Sequence, residues 1–206
     1  MRCVGEDSSK PILPPLAKLT FNAVLLAGGK STRMGTDKAG VLIQGEPLWR
    51  RQLATLRALD PGEIFISGRD NGPYAEEGLE ILKDLYVERG PLGGLEAALF
   101  RSKKPYLVVL AIDLPDIRAD FLARLLELAI LRGRSVAPQS GEYFEPLAAV
   151  YSGAISGLVI ESIDSGDYSL QNFIRRAVEA DLVLPYPLSS EEQSLFRNVN
   201  APDDLF

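Results

Sequence analysis

An α/β fold built on a mostly parallel, doubly wound sheet is predicted for this chain by three features. Phe21 to Ala27 and Tyr106 to Ile112 are apolar runs of the kind that make strands buried on both faces. Extended segments alternate with stretches of helical spacing, and no internal repeat is visible. The first run ends in Gly28-Gly29 and the second in Asp113-Leu114-Pro115. Polar turns therefore fall where the strands of such a sheet open onto ligands.

The elements follow in order. Met1 to Thr20 carries Glu6, Asp7 and several prolines but no apolar stretch of signal length. It reads as neither a secretory signal nor a membrane span, and residues 1–20 are expected to form a loosely ordered extension. Residues 21–206 are expected to form a single domain. Val41-Leu42-Ile43 is a short extended piece ending in a turn at Gln44-Gly45-Glu46-Pro47. Leu48 to Leu59 has helical spacing, and Pro47 suits its start. Glu63 to Ser67 and Leu79 to Leu82 predict the next strands. Gly90-Pro91-Leu92-Gly93-Gly94 reads as a glycine-rich turn leading into a helix through Phe100. Asp120 to Leu131 is an amphipathic helix. Strands are expected at Ser135 to Ala137, Leu147 to Tyr151 and Leu182 to Leu184, with helices at Gly153 to Ile163 and Ser169 to Val178. Asn198 to Pro202 reads as a polar turn before a short terminal helix.

Composition narrows the chemistry. In 206 residues, 46% are apolar, enough for a substantial core. Acidic residues outnumber basic ones by 28 to 22, which argues against bulk nucleic-acid binding. Cys3 is the only cysteine, so a reducing, cytoplasmic setting is expected. Histidine is absent. That removes histidine-based nucleophile pairs and histidine metal sites, leaving carboxylates, lysine, arginine, amides or a hard metal ion.

The segment Leu26-Ala27-Gly28-Gly29, continuing to Lys38, has the make-up of a phosphate cradle. It has bare backbone N–H groups after a strand, with Lys30, Arg33 and Lys38 close by. It is not a P-loop, because Val24 stands where the first glycine is required. It is not a dinucleotide fingerprint either, because Lys30 replaces the second glycine. Arg33 offers a bidentate contact to phosphate and Lys38 a point charge, although loop cations can also be merely solvated. Asp113, at the end of a rigid strand, is a candidate ligand for Mg²⁺ or a cap for the next turn. Asp84 could accept from a guanine edge or a ribose hydroxyl. Asn198 and Asn200 could ligate Mg²⁺, bind a second substrate or cap a turn.

Leu26-Ala27-Gly28-Gly29, Ser31, Arg33-Met34-Gly35 and Asp37-Lys38 resemble the signature loop of Rossmann-like nucleotidyltransferases, and in particular the molybdenum cofactor guanylyltransferase family. Gly45 to Leu48, Gly90 to Gly94, Asp113-Leu114-Pro115, Pro146-Leu147 and Asn198 to Leu205 agree in order. The double glycine favours the guanylyltransferase branch over relatives that use CTP or UTP. The resemblance implies a three-layer α/β/α fold and Mg²⁺-dependent transfer of GMP from GTP to molybdopterin or its molybdenum form. GTP would be bound by Leu26, Ala27, Gly28, Gly29, Lys38, Asp84 and Asp113. Arg33, Lys38 and Asp113 would be catalytic. Mg²⁺ would sit on Asp113 and Asn200, and Asn198 and Asn200 would face the acceptor. Partners would be these substrates, with no nucleic acid or membrane, on a monomer or weak homo-oligomer. The chain departs from the family at Ser67-Gly68-Arg69-Asp70, where a nucleotide-contacting asparagine is usual, and at Asp116, where an aromatic is usual. A cytidylyltransferase, another nucleotide transferase with a different phosphate acceptor, and an inactive nucleotide-binding regulator remain as alternatives.

Overall fold

The computed structural model describes residues 20–28, 41–83 and 89–197. Strand β1 (Phe21–Leu26) is followed by β2 (Leu42–Ile43), β3 (Glu46–Pro47), helix α1 (Leu48–Arg57), β4 (Ile64–Gly68) and β5 (Glu80–Lys83). Next come α2 (Gly90–Arg101), β6 (Tyr106–Ala111), α3 (Ala119–Arg132), β7 (Ser135–Ser140), β8 (Tyr143–Phe144) and β9 (Ala148–Ser152). The remaining elements are α4 (Ser156–Asp164), α5 (Leu170–Glu179), β10 (Val183–Pro187) and α6 (Ser190–Gln193).

The main sheet runs β10-β7-β9-β6-β1-β4-β5, with β8 paired to β7. Pairings from β5 through β4 and β1 to β6 are parallel, whereas β9 is antiparallel to both β6 and β7. The expectation of a mostly parallel sheet holds. The exceptions are β8 and β9, which follow β7 through connections far too brief for a parallel crossover.

Side chains alternate across the sheet as the two-residue strand period requires. Ala23 and Leu25 of β1 and Val108 and Leu110 of β6 join α1 and α3 in one core. Val24, Leu26, Leu107 and Val109 face the other core, with α2, α4 and α5. This gives three layers, α/β/α. Each fully buried leucine or phenylalanine in them contributes roughly 1.5–3 kcal/mol, which makes the central strands a stiff platform.

Three local readings change. Glu46-Pro47 is not turn but the returning strand of a β2–β3 hairpin. Gln44 and Gly45, at φ 52° and 85°, form its two-residue turn. Gly90 to Gly94 is not a turn before a helix but the first turn of α2 itself. Its glycines are there for contact, since a Cβ on Gly94 would lie 2.6 Å from Ser67 Oγ. Finally, β10 extends through Pro185 and Pro187, which an edge strand tolerates.

Candidate active site

The carboxyl ends of β1, β4 and β6 lie side by side and build one ledge. Leu26 pairs with Ser67 on one side and Ala111 on the other. Past the end of β1 the chain stays tethered: Ala27 N and Gly28 N both donate to Ser67 O, at 2.8 and 2.9 Å. Across the strand, Ile112 N donates to Leu26 O at 3.1 Å. Asp113 is the next residue, half-buried, so the fold places it beside the exposed Gly28. The sequence-predicted residues Leu26, Ala27, Gly28 and Asp113 thus converge.

The ledge is braced from both faces. On one, the buried Gln52 of α1 donates through Nε2 to Leu114 O, and Arg51 Nε donates to Pro115 O at 2.9 Å. These bonds hold the turn that carries Asp113. On the other, the first turn of α2 rests on Leu26 and Ser67 at the contact of Gly94. The N-terminal end of α2, with Pro91 in its first turn, therefore approaches the same ledge and adds the positive end of its dipole. Nothing in the local sequence marks Gln52 or Arg51. Their role depends on a contact more than sixty residues away, which no local pattern reveals.

Two further predicted positions are approached from described neighbours. Lys83, the last residue of β5, pairs with Asp70 at 2.9 Å in the turn after β4. Asp84 follows it directly in the chain, but itself lies outside the described residues. At the other side Phe196 meets Phe121 edge to face, at 5.6 Å between centroids. Arg197 Nε then donates to Asp116 Oδ2 at 3.0 Å. The described chain therefore ends against the loop of Asp113, one residue before Asn198. Gly29, Arg33, Lys38, Asn198 and Asn200 lie outside the described residues.

A single hard carboxylate on a rigid strand end fits Mg²⁺, which takes one or two protein carboxylates and completes its shell with phosphate and water. Among the described residues no group of three or more acidic or cysteine side chains is gathered as a closed metal cage. No helix among them is long and apolar enough to cross a membrane.

A three-layer sheet with a glycine-ended first strand and an aspartate at the end of its neighbour is the architecture of a nucleotide-handling α/β protein. This chain belongs to the MobA-like NTP transferase family, whose domain model matches residues 23–181. It is 32% identical over 183 residues to the "Probable molybdenum cofactor guanylyltransferase" of Opitutus terrae, covering 87% of this chain and 90% of that one. The "Molybdenum cofactor guanylyltransferase" of Syntrophotalea carbinolica is 31% identical over 195 residues, covering 89% and 88%. Among solved structures, molybdopterin-guanine dinucleotide biosynthesis protein A from Archaeoglobus fulgidus superimposes with a TM-score of 0.73 at 27% identity, covering 89% of this chain and 94% of that one. These likenesses agree with the family and the fold expected from the signature loop.

Proposed function

We propose that this protein transfers GMP from GTP to the phosphate of molybdopterin, or of its molybdenum form, releasing pyrophosphate. The observation that carries this reading is the position of Asp113, fixed at the end of β6 beside the Gly28 turn, in a chain of the MobA-like family. An oxygen of the acceptor's phosphate monoester attacks the α-phosphorus of GTP. The bond from that phosphorus to the β-phosphate bridging oxygen breaks, and pyrophosphate leaves with the electron pair. The nucleophile is already anionic near neutral pH, so no general base is needed, in keeping with the absence of histidine. What the protein supplies is position and charge.

Asp113, with Asn200, would hold Mg²⁺, which when bound neutralises charge on the phosphate oxygens. The Gly28-Gly29 backbone would receive the phosphates, with N–H donors from Gly29 onward, since Ala27 N and Gly28 N already donate to Ser67 O. Arg33 and Lys38 would stabilise the departing pyrophosphate. Asp84 would accept from the guanine edge, and Asn198 and Asn200 would meet the acceptor. A cytoplasmic setting and a monomer or weak homo-oligomer complete the proposal.

Asp113→Ala tests it directly. With GTP, molybdopterin and Mg²⁺, kcat is expected to fall by roughly 10²–10³, the scale of removing one key electrostatic group. Turnover within a few-fold of the parent would remove Asp113 from the chemistry. Parallel assays with CTP identify the base, and a preference for CTP would overturn the guanine assignment.

A further inference from the structure

We propose that Glu145 is the carboxylate that orients the acceptor, accepting the adjacent N3–H and 2-amino donors of a pterin ring. This rests on the guanylyltransferase reading above. It gives a role to a residue outside the signature segments.

Glu145 owes its place to an irregularity in the sheet. Strand β7 pairs with β8 at Gln139↔Phe144 and with β9 at Val136↔Val150. Only Ala137 and Pro138 separate these pairs on β7, against five residues, 145–149, on the opposite chain. Three extra residues must therefore leave the ladder, and they form a bulge at Glu145-Pro146-Leu147. Pro146 cannot donate to a ladder, which suits it to this place. The last register pair before the bulge is Leu110↔Ala148. Leu110 lies three residues before Asp113, so the bulge stands at the same end of the sheet, on the strand next to β6.

The bulge is held at every residue. Glu145 N donates to Pro138 O at 2.8 Å, and Leu147 O accepts from Ala111 N at 2.7 Å. Pro146 O accepts the Tyr151 hydroxyl at 2.7 Å, from a side chain that is fully buried. Gln171 of α5 clamps the preceding Phe144, accepting from its N–H and donating to its carbonyl at 3.1 and 2.8 Å. Bulges beside active sites re-aim side chains, and this one is too well tied to be accidental slack.

The Glu145 side chain itself is half-buried and has no hydrogen-bond or ion-pair partner among the described residues. Burial alone pushes its carboxyl above the ordinary glutamate range. A half-buried carboxylate with no protein partner among the described residues can take donors from a ligand in place of the water it still reaches. Its location selects which ligand. The Gly28 turn and the β5 end that precedes Asp84 lie toward the β4–β5 side of Asp113, whereas Glu145 lies toward β7 and β10. Nucleotide on the first side leaves the second for the acceptor. Guanine carries a similar pair of donors, so the two sources must be separated by measurement.

The experiment is equilibrium dialysis of the full-length protein and Glu145→Gln, under anaerobic conditions, with molybdopterin and separately with Mg-GTP. Glutamine preserves shape but turns a donor toward donors. Molybdopterin is expected to bind at least tenfold more weakly to the variant, with the Kd for Mg-GTP unchanged. Equal molybdopterin binding in both proteins overturns the assignment while leaving GMP transfer intact. Weakened Mg-GTP binding instead overturns it by placing Glu145 at guanine. If the parent protein binds no molybdopterin, the assignment falls together with the reading beneath it.

Discussion

A carboxylate partly withdrawn from water, with no partner among the described residues, costs the fold that holds it some stability, and Glu145 is such a group. The sign of its effect is fixed. Burial raises its folded-state pKa, so the folded protein binds this proton more tightly than the unfolded chain does. The contribution is fully favourable below the ordinary glutamate value near 4.5 and is lost as pH rises through the folded value. Glu145→Gln is therefore expected to match the parent's Tm at pH 4 and to exceed it at pH 7. Scanning calorimetry at the two pH values checks this, and a lower Tm for the variant at pH 7 would mean that the charge has a favourable partner. Binding residues often carry such a cost, because the site is complete only with its ligand. Gln52 shows a related compromise. It is fully buried, its amide nitrogen secures the Leu114 carbonyl beside Asp113, and its Oε1 has no hydrogen-bond partner among the described residues.

At the scale of elements, α2 shows how a helix can be drawn onto a strand end. Its first turn contains Gly93 and Gly94, and the second of these touches Ser67 and Leu26. Gly94→Ala would gain helix propensity, worth up to about 1 kcal/mol. It would also drive a methyl group to 2.6 Å from Ser67 Oγ and 3.2 Å from Leu26 Cδ2. Overpacking of this kind costs about 1–3 kcal/mol, so a net loss of stability is expected, with weaker binding of Mg-GTP. Pairing it with Ser67→Ala, which removes the nearest atom, should recover most of the loss. Chemical denaturation of the two single variants and the double variant measures the coupling, and additive losses would show that the clash is not at Ser67. The same helix shows where sequence reasoning stops. β1 and β6 were legible because burial on both faces leaves an apolar run, and α1 because Leu48, Leu53 and Leu56 recur at helical spacing. The start of α2 was not, since glycine used for close approach looks like glycine used for a turn. The prolines of β10 break the local strand signal, so only its start is legible, although the edge position accommodates them. α6 had a legible cap, Ser189 with Glu192, but runs only four residues. For the site, Leu26, Ala27, Gly28 and Asp113 could be read from strand ends. Glu145 could not, because a bulge is defined by the register of two strands and not by either one.

The whole molecule couples its site to its stability. The ledge is assembled from β1, β4 and β6, whose residues are spread over some ninety positions of the chain and are buried in both cores. A ligand seated there bridges segments that separate when the fold opens, so it binds the folded protein and not the unfolded chain. The protein carries a net charge of −6, and its proposed substrates are anions. Magnesium is then expected to matter for binding as well as for chemistry, since it reduces the charge that must approach an acidic molecule. At a Mg-GTP concentration a hundred times its Kd, mass action adds about 2.7 kcal/mol of stability. For a domain of this size each kcal/mol moves Tm by roughly 2–4 °C, which predicts a rise of about 5–11 °C. Thermal denaturation should show that rise with Mg-GTP, a clearly smaller one with Mg-CTP at the same concentration, and little with GTP plus a chelator. A shift that survives chelation would separate nucleotide binding from the metal and leave Asp113 without its proposed role. An equal or larger shift with Mg-CTP would assign the base pocket to cytosine while keeping the phosphate ledge intact.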